Sequence, residues 1–231
     1  MSFIIKLNNV NFAELKVNIL VDFNSFLTYI SDLKEFPLGG LQSQFKMAPE
    51  MRKRFSDEDI LMQHPKESAV LALLYPDKEN FTKLLLMERA SYNGVHSSQI
   101  SFPGGKKDQK DPNLLFTALR ETEEEVGVQK DTVEIIRELT KTYIPPSNFL
   151  VTPFIGYIAE PVVFTTNNEV ENLLEICISD LLNDNSLHIE KMTTSYMKEI
   201  EVPCFKLNDY IVWGATAMML SEIKDLLKSV I

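Results

Sequence analysis

Three glutamates, Glu121, Glu124 and Glu125, stand at i, i+3 and i+4 within the run Leu-Arg-Glu-Thr-Glu-Glu-Glu-Val-Gly. At 3.6 residues per helical turn they share an arc of roughly 100°. Like charges at these spacings repel by about 0.2–0.5 kcal/mol per pair. They also fall in the last turns of the helix, where its dipole favours cations. Local stability therefore opposes the cluster, and a bound divalent cation reverses the sign. Carboxylate oxygens are hard ligands that suit Mg²⁺ or Mn²⁺ rather than zinc. Arg120 precedes the trio and has Glu124 as its i+4 partner.

The helix that must present these acids is well punctuated. Asp111 fits the N-cap, Pro112 the first helical position and Gly127 the left-handed C′ position. Leu115, Ala118, Leu119, Thr122 and Val126 fall on one stripe, the face that packs on a sheet. Ahead of the helix, the turn Phe102-Pro103-Gly104-Gly105 allows a close approach of backbone to the acids.

Around this segment, the apolar runs 69–74 and 81–87, separated by Pro76-Asp77-Lys78-Glu79-Asn80, predict a β-hairpin. Further strands are expected at 99–102, 133–139, 150–158, 199–207 and 210–213, with helices at 112–126, 168–183 and 215–228. Interleaving of this kind indicates an α+β or α/β layered domain. Residues 11–35 read as helical. Residues 36–67 are rich in Pro, Gly and charge, with a short helix near Pro49 to Phe55. Residues 1–65 thus form a helical N-terminal extension with too few apolar residues for a core of its own, and 66–231 form the main domain.

The chain of 231 residues carries 33 acids against 23 Lys and Arg, a formal charge of −10. That balance excludes a general nucleic-acid or anionic-membrane surface. No run of apolar residues is long enough to span a bilayer, and the N-terminus lacks the pattern of an export signal. The C-terminal Lys-Ser-Val-Ile is not a peroxisomal address. Cys177 and Cys204, far apart and without CxxC spacing, are expected to be buried free thiols in a reducing cytoplasm.

Residues 105–128 resemble the Nudix box, the signature helix of hydrolases acting on nucleoside diphosphates linked to another moiety. Its core Arg-Glu-x-x-Glu-Glu-x-Gly stands here as Arg120-Glu121-Thr122-Glu123-Glu124-Glu125-Val126-Gly127. One extra residue separates Gly105 from Arg120, as is typical of the coenzyme A pyrophosphatase branch. The second motif of that branch is matched by Leu85-Leu86-Met87-Glu88-Arg89-Ala90 and by His96-Ser97-Ser98-Gln99-Ile100-Ser101-Phe102-Pro103-Gly104-Gly105. Gly94 stands where the branch usually has an arginine, and Ser98 where it has a glycine. Tyr143-Ile144-Pro145-Pro146-Ser147-Asn148-Phe149 and Val212-Trp213-Gly214-Ala215-Thr216-Ala217 also look like this branch. The likeness covers roughly residues 68–228 and leaves 1–65 without a counterpart.

The resemblance implies an α/β/α sandwich with a mixed sheet. It also implies Mg²⁺ or Mn²⁺ at Glu121, Glu124 and Glu125, oriented by Arg120. Arg89, His96, Gly104, Gly105 and Lys106 become candidates for phosphate contacts, although Lys106 and Lys107 equally fit a solvated surface and His96 a structural role. Ser147, Asn148 and Tyr143 are candidates for the nucleotide or pantetheine pocket, while Phe149 and Trp213 fit either pocket or core; Met218 and Met219 fit the helix core. A glutamate outside the helix assists in some such hydrolases, and Glu169 is the first candidate. It comes from the stretch 160–190, which has seven acids and no Lys or Arg and which equally fits a solvated helix. The expected activity is metal-dependent hydrolysis of coenzyme A or its derivatives to adenosine 3′,5′-bisphosphate and 4′-phosphopantetheine. The alternatives are ADP-ribose, NADH or another nucleoside diphosphate derivative as substrate, or a non-catalytic nucleotide-binding module. A small-molecule nucleotide partner and a homodimer are expected; a decapping role lacks any basic tract.

Overall fold

One strand with no wet face organises the molecule. In the computed structural model, which describes residues 22–48, 55–90, 99–194 and 197–230, β1 (Lys66–Pro76) sends Ala69, Leu71, Leu73 and Tyr75 to one face and Ala72 and Leu74 to the other. All six are at most 1% exposed. A strand buried on both sides must lie inside a sheet that is itself covered on both faces.

β1 turns into the antiparallel β2 (Thr82–Arg89), as the turn chemistry predicts, with the Asp77 carboxylate accepting from the N–H groups of Glu79 and Phe81. β1 also pairs in parallel with β7 (Phe149–Tyr157) and antiparallel with β4 (Gly104–Lys106). The main sheet runs β3 (Ile100–Ser101), β2, β1, β7, β5 (Glu134–Glu138), with β6 (Thr142–Ile144) on β7 and β8 (Val170–Cys177) on β2. A smaller sheet is formed by β9 (Leu187–Thr194), β10 (Met197–Leu207) and β11 (Tyr210–Trp213).

The long helix α5 (Leu114–Val126) covers one face of the main sheet through Ala118 and Val126. The other face is covered by α7 (Gly214–Val230) and by the short helices α1 (Phe23–Thr28) and α2 (Ile30–Glu35). The expected α+β sandwich with a mixed sheet is therefore observed. Met218 and Met219 on α7 are buried, as their positions require.

The helix expected over 168–183 and the burial expected of Cys177 are corrected. Residues 168–183 are not a helix: β8 pairs along the edge of β2 and is followed only by the short α6 (Ile178–Leu182). Its acids lie on the outward side of a strand, Glu175 exposed between buried Leu174 and Ile176. The described part of 11–35 is two short helices parted at Tyr29, and the rest lies outside the described residues. Of the helix expected near Pro49 to Phe55, residues 49–54 lie outside the described residues; a short helix, α4 (Asp57–Met62), follows behind a capping box of Ser56 and Asp59. Cys204 is buried as expected, but Cys177 is only half-buried at the end of β8, where its sulfur accepts from Ser179 Oγ at 3.1 Å. No helix among the described residues is long and apolar enough to cross a membrane.

The N-terminal segment contributes to the main core. Phe23, Phe26 and Leu33 are at most 1% exposed and join the cluster that includes Leu84, Leu86 and α7. A second tie is polar. Glu222, fully buried on α7, accepts from the Gly40 N–H and Gln44 Nε2 of α3 (Gly40–Gln44), both at 3.1 Å, and from Thr140 Oγ1 at 2.6 Å. Truncating Phe26 to Ala is therefore expected to cost about 3–5 kcal/mol of stability. Urea denaturation checks this, and a loss below about 1 kcal/mol would show that the segment is peripheral.

Candidate active site

The site is assembled from the last turns of α5, the Gly104–Gly105 turn and the loop before β8. α5 ends where the sequence requires, with Gly127 in the left-handed conformation at φ 75°. Its start differs. Asn113, not Asp111, is the N-cap, its side chain accepting from the Phe116 N–H at 2.8 Å, and the helix begins at Leu114, after Pro112. Asp111 has another task. Its buried carboxylate accepts from Arg120 Nε at 3.0 Å and Nη2 at 2.9 Å, from Thr117 Oγ1 at 3.0 Å and from the Asp108 N–H at 2.9 Å. The Arg120 guanidinium holds this carboxyl well below the usual carboxylate range. Two-point pairing fixes the plane of the guanidinium.

Arg120 is thereby aimed at the acids. It reaches Glu121 Oε1 at 2.8 Å, Glu124 Oε2 at 3.1 Å and the Lys106 carbonyl at 3.4 Å. The three glutamates are not equivalent: their side chains are 18%, 54% and 2% exposed for Glu121, Glu124 and Glu125. Glu121 and Glu125, one helical turn apart, face the Gly-Gly turn, while Glu124 turns outward. Glu123 lies apart from them and pairs with Lys130.

Gly104 is required by contact with backbone, and Gly105 leaves room for the Glu121 carboxylate. A Cβ on Gly104, at φ 148°, would stand 2.3 Å from the Ala69 carbonyl oxygen, and one on Gly105 would stand 2.5 Å from the Glu121 carboxyl carbon. The freed backbone N–H of Gly104 donates to Glu125 Oε2 at 2.8 Å. Arg89, at the end of β2, donates to Glu125 Oε1 at 3.2 Å and to Glu169 Oε2 at 3.3 Å. Glu169 is thus brought across the chain to the box helix, although it stands on a turn rather than on a helix.

Burial pushes Glu125 up to about 7, against the opposing pull of the Gly104 N–H and Arg89, and the charges of Glu121 and Glu169 push the same way. Glu121 is raised as well, mainly by burial, with Glu124 and Glu169 adding to it and Arg120 opposing. Among the described residues no three acid, histidine or cysteine side chains converge on one point; Glu121 and Glu124 lean on Arg120, and Glu125 and Glu169 on Arg89. The donors are nevertheless of the right kind for a hard divalent cation. Buried carboxylates that repel one another across a close backbone turn gain most from an added positive charge. Glu121 and Glu125, with Glu124 beside them, fit such an ion.

A cavity of about 290 Å³ adjoins this cluster, lined by Phe149, Trp213 and Met219 as well as by Arg89, Gly105 and Lys106. Phe149 and Trp213 thus line the pocket. Ser147 and Asn148 do not; they occupy the turn before β7, where Asn148 accepts from Tyr143 Oη at 3.0 Å and donates to the Gln63 carbonyl at 2.9 Å. Lys107 is paired with Glu67 at 3.2 Å. His96, Gly94 and Ser98 lie outside the described residues. Sequence reasoning missed Asp111 as the partner of Arg120 and Asn167 as the neighbour that fixes Glu169; the turn-forming run Thr-Thr-Asn-Asn-Glu was the available signal for the latter.

The NUDIX domain family model matches residues 65–183, so the chain belongs to the Nudix family. It is 30% identical over 141 residues to the uncharacterized Nudix hydrolase NudL of Photorhabdus laumondii, covering 61% of this chain and 74% of that one. It is 31% identical over 163 residues to the chloroplastic Nudix hydrolase 22 of Arabidopsis thaliana, covering 68% of this chain and 53% of the plant protein. It therefore spans about half the length of that relative. Among solved structures, the M. smegmatis Nudix hydrolase RenU shares the fold with a TM-score of 0.50 and 15% identity, over 72% of this chain and 88% of RenU.

The folded protein keeps the Glu125 proton up to about pH 7, where the unfolded chain has already lost it near pH 4.5. Proton binding then favours the fold, so this group's contribution to stability falls as pH rises through that window. With chelator present, the fold is expected to lose on the order of 2 kcal/mol between pH 5.5 and 7.5 through this group. Thermal melting of wild type and Glu125→Gln at both pH values checks this: equal pH dependence in the two proteins contradicts it. For Asp111→Asn the expected loss is about 3 kcal/mol, the lower end of the range for breaking a buried pair because Arg120 still reaches solvent. Denaturant melts measure it.

Proposed function

We propose that the chain is a divalent-metal-dependent pyrophosphohydrolase that splits the diphosphate of coenzyme A or its derivatives into adenosine 3′,5′-bisphosphate and 4′-phosphopantetheine. The observation that carries this reading is convergence. Stretches far apart in the chain, Arg89, 99–105 and 213–216, line the same cavity beside the acidic helix. The cavity thus joins cationic and glycine-rich elements suited to phosphates with an apolar wall suited to an uncharged arm.

Glu121, Glu124 and Glu125 would hold the cation. When bound, it offsets the charge of the diphosphate, which a chain of net −10 otherwise repels, and makes water more acidic. Arg120, clamped by Asp111, keeps Glu121 and Glu124 in register. Arg89 and Lys106 contact phosphate oxygens, and the exposed carboxylate of Glu169 accepts the proton of the attacking water. Residues 66–231 carry the activity and 1–65 serve as an extension built onto it. The protein works in the cytoplasm, as a homodimer, on a small-molecule nucleotide.

Product release is to be measured with coenzyme A, ADP-ribose and NADH at equal concentration in Mg²⁺ or Mn²⁺. Coenzyme A is expected to be cleaved fastest, and a strong preference for ADP-ribose sinks the substrate reading while leaving the reaction. Replacing Glu124 by Gln is expected to lower turnover at least about a hundredfold with folding intact. Near-normal hydrolysis in that variant refutes the metal assignment. A chain that binds nucleotide but never turns it over is instead a binding module.

A further inference from the structure

The loop between β7 and β8, residues 158–169, is tied to the C-terminal end of the box helix. A helix leaves its last carbonyls without intrahelical partners. Here the Thr165 N–H donates to the Val126 carbonyl at 3.0 Å and the Asn167 N–H to the Glu125 carbonyl at 3.2 Å. Gly127 makes room, since a Cβ there would stand 3.0 Å from the Thr165 oxygen. The second end of the tie is the Asn167 side chain, whose Oδ1 accepts from the Glu169 N–H at 2.9 Å. This is an Asx turn, in which a short side chain takes the place of one backbone unit. Val170 N–H then donates to the Asn167 carbonyl at 3.4 Å, leading the chain into β8.

Glu169 is held from its other side as well. Its carbonyl accepts from the Ala90 N–H at 2.8 Å, just past the end of β2, where the pairing with β8 shifts register. Its carboxylate meets Arg89, which also meets Glu125. Asn167 is therefore the residue whose backbone touches the box helix at Glu125 and whose side chain touches the backbone of Glu169.

We infer that Asn167 is a positioning residue of this enzyme: by joining the Glu125 carbonyl to the Glu169 N–H, it sets the distance between the metal-binding helix and the acid that receives the water proton. The inference rests on the proposed role of Glu169. Without the Asn167 side chain the Glu169 backbone is held at its carbonyl end alone, the carboxylate loses alignment with the reacting water, and a misplacement near 1 Å costs on the order of a hundredfold in rate.

The test compares full-length wild type with Glu169→Gln, Asn167→Ala, Asn167→Gln, Asn167→Asp and the double variant Asn167→Ala/Glu169→Gln, using coenzyme A and the diphosphate substrate that the wild type cleaves best. Asn167→Ala is expected to lower kcat about tenfold or more with KM within about twofold. Asn167→Gln, whose longer side chain cannot close the Asx turn, should match it and serves if the alanine variant does not fold. Asn167→Asp, which keeps the acceptor, should stay within about threefold of wild type. In the Glu169→Gln background the alanine change should have no further effect on kcat, because both act through one group. Glu169→Gln at the wild-type rate defeats the reading of Glu169 and this inference with it. An impaired Glu169→Gln beside wild-type kcat in Asn167→Ala and Asn167→Gln, additive effects in the double variant, or no recovery in Asn167→Asp defeats the inference alone.

Discussion

The site depends on holding carboxylates close together against their own repulsion. Glu121 and Glu125 lie one turn apart on α5, Glu169 approaches from a separate loop, and Glu125 is removed from water. Nothing in an isolated helix favours this. Two arginines make it possible, and each is constrained from outside the cluster. Arg120 is clamped by the buried Asp111 before it reaches Glu121 and Glu124. Arg89 projects from the end of a strand and is shared by Glu125 and Glu169. The geometry of the acids is thus set by cations whose own positions belong to the fold.

The central strand supplies the other half of the arrangement. Because β1 is buried on both faces, it can carry α5 on one side and still offer its polar backbone to β4 along the sheet. That pairing brings Gly104 against Ala69 and Val70, and the missing side chains let the Gly104 N–H and the Glu121 carboxylate approach. The same turn borders the cavity walled by Phe149, Trp213 and Met219, so the apolar pocket and the acidic cluster share one backbone segment.

The parts legible in the sequence share a physical cause: they rest on interactions between residues close in the chain. The hairpin of β1 and β2, the left-handed end of α5 at Gly127 and the i+4 contact of Arg120 with Glu124 are of this kind. The misreadings arise where a distant partner decides. Residues 160–190, with seven acids and no Lys or Arg, resemble a solvated helix, yet the edge of β2 draws 170–177 into a strand with Glu171 and Glu175 exposed. Asp111 has the chemistry of an N-cap, but an arginine nine residues on is a stronger partner for its buried carboxylate than a helix end, and Asn113 takes the cap. The first 65 residues look too poor in apolar side chains to form a core, and Phe23, Phe26 and Leu33 instead complete one that other elements begin.

By itself, then, the sequence identified the Nudix family, through the box motif carried by Arg120, Glu121, Glu124, Glu125 and Gly127, and with it the class of reaction. The period of the α-helix places the three glutamates within one arc of that helix. What only the tertiary structure decided is which of those acids are buried, which cation each one meets and what lies beside them. Exposure of 54% at Glu124 against 2% at Glu125 depends on where β4 runs, and the meeting of Glu169 with Arg89 depends on β8 pairing with β2. These are contacts across 80 residues or between layers, and no local pattern encodes them, because their energy comes from groups that become neighbours only when the chain has closed.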